Sequence, residues 1–75
     1  MNTITLTGII KVIRETMPFS LIGSYANGLC LQHSSRADFI GRGITTSEVV
    51  REKPLNDKAK LIRTNSGSVY LVICD

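Results

Sequence analysis

His33 is the one histidine of this chain, and Cys30 and Cys74 are its two cysteines. A metal site built from several histidines is thereby excluded, and two cysteines so far apart lack zinc-ligand spacing. On a regular strand, residues three apart point to opposite faces, which keeps His33 and Cys30 from acting as base and nucleophile. Asp38 and Glu48 are isolated in sequence and form no carboxylate pair suited to acid–base work. The expectation is therefore a protein that is not an enzyme, with no catalytic residues, no metal site and no cofactor.

Two stretches could instead bind. Gly41-Arg42-Gly43-Ile44-Thr45-Thr46-Ser47 combines glycines, an arginine and hydroxyls, the makings of a backbone-amide cradle for an anion or nucleotide. It lacks the Gly-Lys-Ser/Thr and four-residue spacer of the phosphate-binding loop of nucleoside triphosphatases. A plain connection is the competing reading. The second stretch is basic: Arg51, Lys53, Lys58, Lys60 and Arg63 outweigh Glu52 and Asp57, for a local net of +3 within a chain of +3 overall. Such a patch could meet an acidic protein, a nucleotide or a nucleic-acid backbone, or simply keep a surface soluble. Nucleic-acid binding also needs aromatics to stack on bases. Phe19 and Phe39 are expected in the core, which leaves Tyr25 and Tyr70, and Tyr70 shares a hairpin face with Lys60.

The elements that would position these residues read mostly as strands. Lys58 to Cys74 is the clearest: two β-prone runs flank Asn65-Ser66-Gly67, a loop whose last residue suits the left-handed conformation. With Thr64 facing Ser68, Leu61 lies opposite Leu71, Arg63 opposite Val69 and Ile62 opposite Tyr70. Both faces are then apolar, with Leu61, Val69, Leu71 and Ile73 on one and Ile62, Tyr70 and Val72 on the other. One face belongs to the core, and the other needs a cover from a curled sheet or a partner.

Upstream, residues 2–14 alternate with period two, Ile4, Leu6, Ile10 and Val12 sharing a parity, and Gly8 marks a bulge or bend. Glu15-Thr16-Met17-Pro18 breaks the strand. A second hairpin is expected over 19–33, turning at Ala26-Asn27-Gly28. Ser35 and Asp38 suit a single helical turn ended by Gly41, with Phe39 and Ile40 plugging the core. Residues 44–53 favour a strand by their β-branched content, although Thr45 with Glu48 also fits the capping box of a two-turn helix. Pro54 to Asp57 is expected to turn the chain into the terminal hairpin.

These readings give a single domain over 1–75: a small antiparallel meander or barrel-like curled sheet of five to six strands, with an α+β domain carrying one helix at 45–53 as the alternative. With 43% apolar residues the chain can fold, and no apolar run approaches the ~18 residues of a membrane span. Without a basic, apolar and small-residue leader, the cysteines are expected as reduced thiols in a cytoplasmic protein. A core this small often gains burial by pairing two copies, so a homodimer is a further expectation.

Ile44-Thr45-Thr46-Ser47-Glu48-Val49-Val50, followed by Leu61 through Leu71 with its Ser-Gly turn and Val-Tyr-Leu return strand, resembles a pattern in small phage and prophage accessory proteins. The resemblance implies a stoichiometric inhibitor of a bacterial defence system, such as an anti-CRISPR protein, that binds a host protein complex. A sponge for a signalling nucleotide and a small nucleic-acid-binding barrel are the alternatives.

Overall fold

In the C-terminal third, side chains alternate between a buried and a more open face, and this alternation builds one wall of a closed barrel. The computed structural model describes residues 6–12 and 20–74. Its strands are β1 (Gly8–Val12), β2 (Tyr25–His33), β3 (Gly43–Asn56), β4 (Ala59–Thr64) and β5 (Val69–Cys74), with a 3-10 turn at Ala37–Phe39. They pair in chain order and close on themselves. In a meander of five strands the first and last run the same way. The closing β1–β5 pair is accordingly parallel, while the other four pairs are antiparallel. The fold is thus mostly β, and no α-helix occurs among the described residues.

The terminal hairpin forms in the expected register, with Leu61 opposite Leu71, Ile62 opposite Tyr70 and Arg63 opposite Val69. Gly67 has φ +88°, and its amide donates to the Thr64 carbonyl at 2.9 Å, closing the turn. Lys60, Ile62, Thr64, Tyr70 and Val72 face the interior. There Ile62, Tyr70 and Val72 join Ile10, Val12, Ala26 and Val49 in one apolar cluster.

Residues 44–53 form the strand that their β-branched content favours, and not the alternative helix. Four other expectations are corrected. The strand runs on through Pro54 to Asn56, where a turn was expected. Pro54 lies beside a register shift in the β3–β4 ladder, the kind of irregularity that accommodates a residue without an N–H. The turn falls at Asp57–Lys58, where the Asn56 Oδ1 accepts the Lys58 amide at 2.8 Å.

Ala26-Asn27-Gly28 is strand interior, not a hairpin turn. A Cβ on Gly28 would sit 2.4 Å from the Lys11 carbonyl oxygen, so glycine here lets β1 and β2 approach closely. Asn27 instead reaches across to β3, its Nδ2 donating to Thr45 Oγ1 at 3.0 Å. No strand precedes it over 20–24, where Ile22 makes only an isolated bridge to Val49.

The 3-10 turn comes where a single helical turn was expected, and Gly41 follows it at φ +85°. Its first flank is Arg36, with no side-chain cap, so Ser35 does not start it. Phe39 is half-buried and Ile40 exposed, so the pair does not plug the core. Phe39 packs instead edge-on to His33, with the ring centroids 5.1 Å apart.

His33 and Cys30 share a face after all. Gly8 pairs with His33 and Ile10 with Cys30, and a bulge between them inserts one extra residue in β2. That shift by one reverses the parity a regular strand would impose. The expected strand at 2–5 and 13–14, the break at 15–18 and the placement of Phe19 fall outside the described residues.

Candidate binding face

The strand register decides which basic residues can meet a partner. Arg51 is directly opposite Arg63, and Lys53 directly opposite Leu61, all on the outside of the barrel. Cross-strand pairing extends these into rows. One row runs Ile9, Leu71, Leu61, Lys53, and the row above it runs Val69, Arg63, Arg51. Ile73 pairs with Lys11 on one side and Ala59 on the other. The aliphatic members of these rows are all half-buried, while Arg51, Lys53 and Arg63 are exposed. The outcome is a sheet face with an aliphatic middle and a cationic flank. Arg51, Lys53, Leu61, Arg63 and Val69, together with Glu52 and Ile62 between them, line an open groove of about 240 Å³ within it.

No ion pair or side-chain hydrogen bond links Arg51, Lys53 or Arg63 to another residue in the described parts of the chain. Like charges placed directly opposite on a sheet are destabilising. The nearest carboxylate in sequence, Glu52, points the other way. Its Oε2 accepts from Lys60 Nζ at 3.1 Å and from the Leu21 amide at 2.9 Å, inside the barrel. Burial pushes the Glu52 carboxyl up, but hydrogen bonds from the Leu21 amide, Ser20 and Lys60, with the charge of Lys60, hold it below the usual carboxylate value.

The other residues of the expected binding set are placed differently. Lys60 is interior, 2% exposed, because the alternation that puts Ile62 in the core puts Lys60 there too. Tyr70 is likewise interior, 8% exposed, so it supplies no stacking platform beside the cations. Its phenol is pushed up by burial and secondarily by Cys30. Lys58 stands exposed in the Asp57–Lys58 turn, at the end of the hairpin away from Arg63.

The Gly41–Ser47 stretch does not form a cradle. The Gly41 amide donates to the Cys30 carbonyl at 2.8 Å and the Arg42 amide to Phe39 at 3.0 Å. Gly43 begins β3 and pairs with Leu29. Thr46 is buried, its Oγ1 accepting from the Ala26 amide at 3.0 Å and donating to the Ser47 carbonyl at 2.7 Å. Thr45 is engaged by Asn27. The Gly41 and Arg42 amides, committed to backbone carbonyls, are not turned toward an anion.

His33 holds the β2 exit together. Its Nδ1 accepts the amides of Ser35 at 3.3 Å and Arg36 at 3.0 Å, which places the neutral ring's proton on Nε2, 3.3 Å from the Tyr70 hydroxyl. Arg36 stacks 4.2 Å over Phe39 and pairs with Asp38 at 2.8 Å. The ring nitrogens are thus engaged in local structure. Cys30 and Cys74 are free thiols, with Cys30 buried. Among the described residues no three His, Cys, Asp or Glu side chains gather as metal ligands, and no helix is long and apolar enough to cross a membrane.

The aliphatic half of the face was legible in the alternation of β4 and β5. Ile9 was missed as part of it, since only the parallel β1–β5 pairing brings it beside Leu71. No family model matches the chain, and neither the curated proteins nor the solved structures include a match to it.

Proposed function

We propose that this chain is a non-enzymatic binding protein that docks a partner protein on the outer face of β1, β5, β4 and β3. One observation carries the reading: the row Ile9, Leu71, Leu61 is continuous, half-exposed and aliphatic, and it ends in Lys53 beside the Arg51–Arg63 pair, cations that have no counter-ion among the described residues. Apolar surface with a charged rim is the ordinary anatomy of a protein–protein contact. The aliphatic middle supplies burial, and the cations supply steering and register. Nucleic acid is disfavoured as the ligand of this face because Tyr70, the aromatic of the hairpin, lies inside the barrel.

The resemblance to small phage accessory proteins makes a bacterial defence complex the first partner to test, with this chain as its stoichiometric inhibitor. Immobilised protein is incubated with lysate of bacteria expressing such a complex, beside a Leu71→Asp variant. The reading expects capture of the complex by the wild type and its loss in the variant, at unchanged circular dichroism. Equal capture by both, or recovery of nucleic acid without protein, would overturn it.

A further inference from the structure

Arg51 and Arg63 face each other across β3 and β4 at the rim of the groove, and the two strands would be more stable with one charge fewer there. A third cation, Lys53, stands two residues along β3 from Arg51 and opposite Leu61. The floor between them is apolar, formed by Leu61 and Val69. Of the acidic side chains of β3, Glu52 is held inside by Lys60 and the Leu21 amide, and the exposed Glu48 makes no ion pair with Arg51, Lys53 or Arg63, so the chain does not neutralise its own groove. A guanidinium pair is a geometric match to a carboxylate, which it can hold by parallel hydrogen bonds. At about 240 Å³ the groove holds about one large side chain and not a whole drug-sized ligand.

Resting on the reading of this face as a protein-docking surface, we infer that the groove seats an acidic, apolar segment of the partner. A glutamate or aspartate carboxylate lies between Arg51 and Arg63, and a neighbouring aliphatic side chain rests on Leu61 and Val69. The two demands act together. The carboxylate relieves the arginine repulsion, and the apolar neighbour covers the floor, so neither a free anion nor an uncharged apolar peptide satisfies both.

The test is a titration of the 15N-labelled full chain followed by amide shifts. The probe is a blocked hexapeptide of two leucines flanked on each side by two glutamates, compared with its all-glutamine counterpart and with inorganic phosphate. Shifts are expected at 51–53, 61–63 and 69–71, with affinity falling about tenfold for the glutamine peptide and about tenfold in Arg63→Gln, the loss of one charged hydrogen-bonded contact. Unshifted amides of the core strands confirm that the variant is folded. Equal binding of the glutamine peptide, saturation of the same shifts by phosphate alone, or shifts elsewhere on the barrel would overturn the inference. If the peptide fails while Leu71→Asp still abolishes capture of the partner, the acidic-segment inference falls and the docking face stands. If capture is also insensitive to Leu71→Asp, both fall.

Discussion

Lys60 Nζ stands 3.1 Å from Glu52 Oε2 inside the barrel, with 2% and 11% of the two side chains exposed. The two sit diagonally on the inner face, since Glu52 pairs with Ile62 and Lys60 with Pro54. Removing one partner leaves the other charge buried. Lys60→Ala should therefore cost roughly 3–5 kcal/mol, comparable to the whole stability of so small a core. Replacing both, as Lys60→Met with Glu52→Gln, should recover most of that loss. Urea unfolding followed by circular dichroism measures both, and a Lys60→Ala variant as stable as wild type would refute the buried pair.

The same pair makes stability fall in acid. Glu52 has its carboxyl lowered from the ordinary 4.5 in the folded state. A lowered folded value means that the contribution is fully present above about pH 4.5 and is lost as pH falls through the folded value. Urea midpoints from about pH 6 to about pH 3 should drop for wild type and drop less steeply for Glu52→Gln. Asp38, whose carboxyl is also lowered, chiefly by its hydrogen bond from Arg36, is exposed, so Asp38→Asn should leave the profile nearly unchanged.

Close approach of β1 and β2 at Gly28 predicts a sharp contrast between two glycines. In Gly28→Ala the new methyl meets the Lys11 carbonyl at 2.4 Å and Ile10 Cγ2 at 2.9 Å. The strands must part, at a cost of about 1–3 kcal/mol or more. In Gly43→Ala the methyl meets nothing within 4 Å, and stability should hold or rise slightly. Thermal melts of the two variants check this, and equal melting temperatures would show that Gly28 is not a contact point.

Much of this architecture was legible in the sequence, and the exceptions share a cause. The β4–β5 hairpin could be read in full because its turn and its alternation are local: Gly67 fixes the turn, and the register of Leu61 with Leu71 follows. Gly28 could not, because a turn and a tight strand crossing both call for glycine, and Asn27 beside it made the turn the better local reading. Pro54 could not, because its bulge is defined only against β4. Of the candidate site, the run Arg51, Lys53 and Arg63 was visible as charge. That Lys60 and Tyr70 turn inward depended on which face of the hairpin became the inside, and alternation alone leaves that choice open. The partner of Lys60 lies on another strand, where no spacing rule reaches it.

On the docking proposal, Arg51 and Arg63 stay opposed, at a cost to stability, because an acidic segment of a partner lies between them. Thermal unfolding of Arg63→Glu, with and without the glutamate–leucine hexapeptide, tests it most directly. Reversing one charge turns a repulsive cross-strand pair into an attractive one, worth about 0.2–1 kcal/mol, or about 1–8 °C in a domain this size. The variant is expected to melt higher than wild type and to gain no stability from the peptide. A variant that melts lower, or that the peptide stabilises as it does wild type, would contradict it.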